Sequence, residues 1–321
     1  MLGIALSIYG YYDARVGHPN TFLNSGSLVD GIATPMSYFA IMAIGLTIVI
    51  VSGGIDISVG SVMALAGMVT ATLMDRWFAA DTSGLLVIPA ALLVSLGVGL
   101  ACGLANGLLV AALRIHPFIV TLGTLSIYRC LATAPFMQKT LQGPTSLQQL
   151  LNIESFGTRF MPMIIMLIVI AIGWFYLRLT VWGRETYAIG GNEEAARFSG
   201  INVTAAKLRV YVISGILAGL AGFVSLGRFG TVSASTGSGY ELNVVAASVV
   251  GGASLIGGRG TAIGALLGTL ILAMIEQGIN IVHLNQEWKM GIVGLSILVA
   301  VVLDRFGSQF RAWRTRGKQK V

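Results

Sequence analysis

Charged side chains are nearly missing from this sequence. Asp, Glu, Lys and Arg make up 10% of its 321 residues, while 55% are hydrophobic. A soluble domain carries about 25% charged residues and needs them to cover its surface. With a mean hydropathy of +0.83, the soluble class is excluded and the chain is read as an integral membrane protein.

Chemistry-bearing residues are scarce as well. Cys102 and Cys130 sit in apolar runs without CxxC spacing, and His18, His116 and His283 are far apart in the chain. That pattern argues against a disulfide framework and supports no metal site; both thiols are expected to be buried and structural. No GxxxxGK[ST] phosphate loop occurs, and GGNEEAARFSG lacks both the lysine and the preceding strand. Neither a Ser-His-Asp set nor paired carboxylates emerge in the loops. The chain is expected to be no enzyme and to carry no cofactor of its own.

An excess of one charge sign needs its own account. The formal net charge is +7, but six of the twenty Lys and Arg fall in residues 305–321. A basic cytoplasmic tail beside anionic lipid explains this without nucleic acid.

What the sequence does have is long hydrophobic runs. Measured against the roughly 20 residues that cross a hydrocarbon core, ten spans are expected, near 1–12, 29–52, 57–74, 85–113, 117–137, 161–182, 204–227, 241–257, 260–283 and 287–304. The runs are continuous and do not alternate, so the fold class is all-α, an integral membrane bundle with a transmembrane domain over 1–304. The first run is too short to cross unaided and has no signal-peptide character; the true start is expected upstream, or the helix enters at a slant. With ten spans and a cytoplasmic tail, thirteen Lys and Arg lie inside and seven outside, which places both termini inside. Without the tail the counts are equal.

Glycine is abundant, at 42 residues, much of it at small-xxx-small spacing, as in Gly103 to Gly107, Gly215 to Gly219 and Gly260 through Gly264 to Gly268. Those positions predict close helix packing. Two further glycine clusters, SGGIDISVGS from residue 52 and GGASLIGGRGT from residue 251, predict helix breaks, which in a membrane must be buried or line a cavity. Asp56 lies in the first break, where Ser58 is expected to cap the next helix and the carboxylate to favour its N-terminus.

Polar residues within the spans are read first as interhelical hydrogen-bond partners. As a substrate path the sequence offers Asp56, Asn106, Thr121, Tyr128, Glu241 and Asn243. Glu241 is explained by a helix start at the outer face. Glu276 lies deeper, with Gln277 and Asn280 beside it, and ranks first as a coupling group in the alternative reading, an ion-coupled secondary transporter. A passive channel or scaffold is the third reading, and it leaves one feature unexplained.

That feature is a polar island between long apolar segments, about residues 183–204. Asn192 is a predicted N-cap, Glu193 and Glu194 suit a first turn, and Gly200 is a predicted C-cap. A helix of about two turns is unstable alone in water, so it needs a surface to lie on, and a docking helix is preferred to an ordinary loop.

Four passages in order, SGGIDISVGSVMALAG at 52–67, HPFIVTLGTLSIYR at 116–129, YAIGGNEEAARFSGI at 187–201 and ELNVVAASVVGGASLIGGRGTAIGALLGTLI at 241–271, carry a resemblance. The chain resembles the inner-membrane permeases of bacterial ATP-binding-cassette monosaccharide importers, of the ribose, xylose, arabinose and galactofuranose type, with YAIGGN and HLNQEWKMGIVG leaning to the galactofuranose branch. The resemblance implies a second permease subunit, identical or similar, an ATPase dimer that carries the ATP and Mg, and a periplasmic sugar-binding protein. It implies that Gly190, Gly191, Asn192, Glu193, Glu194, Ala195, Ala196, Arg197 and Gly200 form the segment coupled to the ATPase. Members of that family generally have residues before the first span that are shortened here.

Overall fold

The computed structural model describes residues 28–78, 82–134, 139–155, 158–233 and 235–281, with scattered helical positions between 291 and 302. The expected first span and the basic tail lie outside the described residues, and the expected last span lies within the scattered positions. The chain is mostly helical. Its long elements are α1 (Thr34–Val51), α2 (Val59–Trp77), α3 (Gly84–Gly107), α4 (Pro117–Thr133), α6 (Met161–Leu179), α9 (Val203–Phe229) and α11 (Ala262–Ile281); shorter ones are α5 (Thr145–Leu151), α7 (Val181–Gly191), α8 (Glu193–Phe198) and α10 (Tyr240–Val250). π-helical stretches precede α1 at Val29–Ala33 and extend α3 at Leu108–Ala112. Four two-residue strands form two antiparallel pairs in the connections: β1 (Leu141–Gln142) with β4 (Thr231–Val232), and β2 (Glu154–Ser155) with β3 (Thr158–Arg159).

Among the described residues, five helical segments are long and apolar enough to cross a membrane: Val29–Val51, Gly84–Ala112, Met161–Leu179, Val203–Phe229 and Ala262–Ile279. They are used in two ways. The window in Val29–Val51 is 89% buried, whereas that in Gly84–Ala112 is 28% buried although it is the more hydrophobic. α1 is therefore the central post, and α3 and α6 turn most of their apolar surface outward, as lipid-facing helices do.

Two of the other helices pack together through glycine. A Cβ on Gly103 would meet the Tyr211 carbonyl at 2.6 Å and the Val212 Cα at 2.9 Å, so α3 and α9 touch backbone to backbone. Gly99 packs on Gly215 and Gly219 in the same seam, and the Ser95 hydroxyl donates to the Gly219 carbonyl at 2.7 Å. This is small-residue packing, the role the spacing predicted for Gly103, Gly215 and Gly219.

Three expectations are corrected. The run expected to span 241–257 is an 11-residue helix ending at Val250, too short to cross at about 1.5 Å per residue, because Gly252 takes φ 91° and turns the chain. The run at 161–182 is two helices, divided at Thr180, whose extended backbone (ψ 157°) ends α6 and whose hydroxyl accepts from the Gly183 N–H to start α7. Cys102 is buried as expected, but Cys130 is exposed on the outward face of α4, where an apolar neighbourhood in the sequence means lipid and not core.

Candidate functional site

The polar island folds as a capped, clamped unit. Asn192 leaves the helical region at φ −160°, and its side chain accepts from the Ala195 N–H at 3.0 Å to cap α8. Gly200, at φ 87°, reverses the chain, and Asn202 caps α9 through the Ala205 N–H at 3.0 Å. A six-residue helix has no stability alone, so contacts hold it. Ala196 packs with Ile189, Val203 and Ala206 in a small separate core. Glu193 accepts from Lys207 at 2.6 Å and pairs with Arg197 at 3.2 Å, and Glu185 pairs with Arg209, whose guanidinium lies 4.8 Å from the Trp182 ring centre.

This geometry sorts the nine residues named for the segment. Gly190 and Ala196 face inward and Glu193 is tied to its own chain, while Gly191, Asn192, Glu194, Ala195, Arg197 and Gly200 are exposed. One residue was missed: Phe198 projects from α8 with 90% of its surface exposed. A large aromatic side chain among the small and charged residues of 190–200 was the available signal.

The hydrogen bond from Lys207 holds the Glu193 carboxyl below its ordinary value of 4.5. A depressed carboxyl stabilises above its unfolded-state value, and that contribution is lost as pH falls through the lower folded value. With the Glu193 side chain 41% exposed, the effect is about a few tenths of a kcal/mol. Hydrogen exchange across α8, corrected for its intrinsic pH dependence, is expected to lose protection only as pH drops below the ordinary carboxylate value. Uniform protection down to about pH 3 would remove the clamp assigned to Glu193.

Deeper in the bundle, the segment between α1 and α2 carries Asp56, 2% exposed. The Ser58 N–H (3.0 Å) and hydroxyl (2.7 Å) both donate to its Oδ1, and the Ser214 hydroxyl donates to Oδ2 at 2.9 Å. Ser58 thus makes no side-chain cap to α2; its hydroxyl turns back to the carboxylate, which also takes the Ser58 N–H just ahead of the first turn. Asn106 Nδ2 donates to the Ser58 hydroxyl at 2.8 Å, and the Tyr128 hydroxyl donates to Asn106 Oδ1 at 3.2 Å and to the Cys102 carbonyl at 3.0 Å. One chain of hydrogen bonds therefore joins α2, α3, α4 and α9, and Asn106 sits where α3 passes into its π-helical stretch.

Of the six path residues named from the sequence, the structure brings together Asp56, Asn106 and Tyr128. Thr121 is buried and returns its hydroxyl to the Pro117 carbonyl at 3.0 Å. Glu241 opens α10 with its Oε2 buried and without a hydrogen-bond partner, set against Gly60, where a Cβ would lie 2.5 Å from it. Arg129 from α4 is near enough to feel its charge and donates to the Thr236 carbonyl at 2.6 Å. Asn243 stands apart, lining a cavity of about 130 Å³ between α1, α10 and α11 with Glu276, Thr269 and Gly31. Ser58 and Ser214 were not singled out as path residues; common residues in common contexts, they become visible only through the fold.

Glycine joins the two regions. The turn after α1, the end of α7 and the turn before α11 meet backbone on backbone: the Gly258 N–H donates to the Val51 carbonyl at 2.9 Å, and a Cβ on Gly257 would meet the Gly190 carbonyl at 2.6 Å and the Gly53 Cα at 3.0 Å. The island is fastened in this way to the segment that carries Asp56.

The chain is 39% identical over 275 residues to the probable ABC transporter permease protein y4mJ of Sinorhizobium fredii, covering 84% of this chain and 79% of that one. It is 38% identical over 273 residues to the ribose import permease protein RbsC of Escherichia coli K12, covering 83% and 81%, and 35% identical over 314 residues to the D-allose transport system permease protein AlsC of the same organism, covering 96% and 91%. No solved structure matches. Residues 28–301 match the family described as branched-chain amino acid transport system / permease component, and the chain belongs to that family of multi-pass membrane permeases.

Proposed function

We propose that this chain is the membrane-spanning subunit of an ATP-driven, binding-protein-dependent importer that carries a monosaccharide into the cytoplasm by alternating access. The reading keeps a multi-pass helical bundle with both termini cytoplasmic, a second permease subunit, ATPase subunits below and a sugar-binding protein above, in the bacterial inner membrane. Relatives named for ribose import and D-allose transport support the cargo class.

The observation that carries the reading is α8. It is capped at Asn192, clamped by Glu193 and fastened through Gly190, and it presents Phe198 with Glu194 and Arg197 to the outside. A rigid exposed aromatic ringed by charge is the composition of a binding hot spot. Seated in an ATPase cleft, such a helix transmits closure of the ATPase to the bundle as a rigid-body movement.

The experiment is copurification of the tagged chain from its native membrane, followed by ATP hydrolysis and sugar uptake in vesicles with loaded binding protein. Phe198→Asp is expected to weaken ATPase retention by about thirtyfold, the worth of one hot spot, and to leave the chain's own thermal unfolding unchanged. Full retention of the ATPase by that variant overturns the docking role. Gradient-driven uptake by the chain alone, abolished by Glu276→Gln, overturns the importer reading in favour of an ion-coupled transporter.

A further inference from the structure

Behind α8 lies a cleft of about 310 Å³, lined by Arg114, His116, Glu193, Arg197 and Lys207 and roofed by Val110 and Pro117. Its charge does not cancel. Arg197 and Lys207 share the one carboxylate, Glu193, and Arg114 makes no ion pair among the described residues. Three cations against one anion leave two positive charges facing the same space.

Two further features give the cleft a direction. Arg114 has φ 56° and is, among the described residues, the one non-glycine residue with positive φ. Such backbone persists where its surroundings impose it. The next helix, α4, begins at His116 and Pro117 with no side-chain cap; Pro117 has no N–H and the Ile119 N–H donates to the His116 carbonyl at 3.0 Å, so what the helix start offers an anion is mainly its dipole. Neighbouring the lining residues in the chain, Leu108, Leu113 and Ile119 are 51%, 64% and 63% exposed, an apolar rim at the α3–α4 turn.

We propose that this cleft binds the phosphate of an anionic phospholipid of the cytoplasmic leaflet, with the acyl chains lying along the Leu108, Leu113 and Ile119 rim. The proposal rests on the orientation in the functional reading above, which places α8 at the cytoplasmic face. Arg114, Arg197 and Lys207 supply charge-assisted donors to the phosphodiester, and the rim favours a lipid over a free anion. A head group seated there wedges the base of α9 and the α3–α4 turn against α8, so leaflet charge would set how firmly α8 is held.

The test uses the full chain in phosphatidylcholine nanodiscs doped with fluorescent phosphatidylglycerol, with binding titrated in wild type, Arg114→Asn and Arg114→Lys. Asparagine accepts positive φ readily, so the first variant removes charge without new strain, and the basic tail contributes equally to all three. Arg114→Asn is expected to weaken binding about fivefold, the worth of one basic side chain at an anionic surface, and Arg114→Lys to restore most of it. A photoactivatable phosphatidylglycerol is expected to label residues 110–117. Equal binding by all three proteins overturns the site. Equal competition by inorganic phosphate assigns the cleft to a soluble anion, and labelling blocked only by copurified ATPase assigns it to that protein; either overturns the lipid. Because the readout is binding to the chain alone, failure of the importer reading leaves the result legible.

Discussion

Gly190→Ala is expected to destabilise this protein strongly, and Gly191→Ala, one residue along, to do almost nothing. A Cβ on Gly190 would overlap the Val51 carbonyl oxygen and stand 2.6 Å from the Gly258 nitrogen, so it falls on the hydrogen bond that joins the two turns. Both neighbours are backbone, and neither can rotate aside. Overpacking a fixed core by one methyl costs about 1–3 kcal/mol, and with backbone on two sides the upper end or more is expected. A Cβ on Gly191 meets nothing within 4 Å, and alanine is the better helix former by about 1 kcal/mol. Thermal unfolding of the purified chain reads the contrast directly, and uptake in vesicles should follow it, since α7 carries α8. If both variants melt together near wild type, the three glycine turns are not in register as described.

The same contrast shows where sequence reading succeeds and where it stops. Long apolar runs locate helices, because a backbone in lipid must satisfy its own hydrogen bonds, and four of the expected spans appear within a few residues of their expected limits, with a fifth stopping at Leu179 where Thr180 divides the run. Which face of each helix is buried was not legible. The segment at Gly84–Ala112 is more hydrophobic than that at Val29–Val51 and far less buried, because lipid is as apolar as a protein core and the amphipathic signal of soluble helices is lost. Cys130 was misplaced for that reason.

Local signals with a short reach fared better. Asn192 caps the start of α8 as its residue type predicted, and Gly200, expected as the C-cap, takes positive φ one position after the cap residue Ser199; a cap involves only neighbours in the chain. Tertiary partnerships were hidden. Nothing about Glu193 at the sequence level says that Lys207, fourteen positions on, will claim it, or that Ser214, 158 positions from Asp56, will reach that carboxylate. Glu241 was explained by a helix start alone, and the structure adds that its Oε2 is buried against Gly60 without a hydrogen-bond partner.

Asp56→Ala is expected to destabilise the bundle by roughly 3–5 kcal/mol, by orphaning donors more than by removing a charge. The Ser58 N–H, the Ser58 hydroxyl and the Ser214 hydroxyl all end on this carboxylate, and each buried donor left unmet costs about 1–3 kcal/mol. The bonds from Tyr128 through Asn106 and Ser58 point the same way, so they polarise one another and weaken together. Asp56→Asn separates structure from function. Its amide oxygen can take both Ser58 donors while its NH2 donates to the Ser214 oxygen, so the loss is expected to be about 1 kcal/mol. Unfolding midpoints of the two variants, with uptake measured on Asp56→Asn in vesicles, settle the role. A midpoint for Asp56→Ala equal to wild type would mean that the network is not holding α2, α3, α4 and α9 together. Near-wild-type stability with abolished uptake in Asp56→Asn would mean that the negative charge itself serves transport. The carboxylate would then belong to the path as well as to the frame.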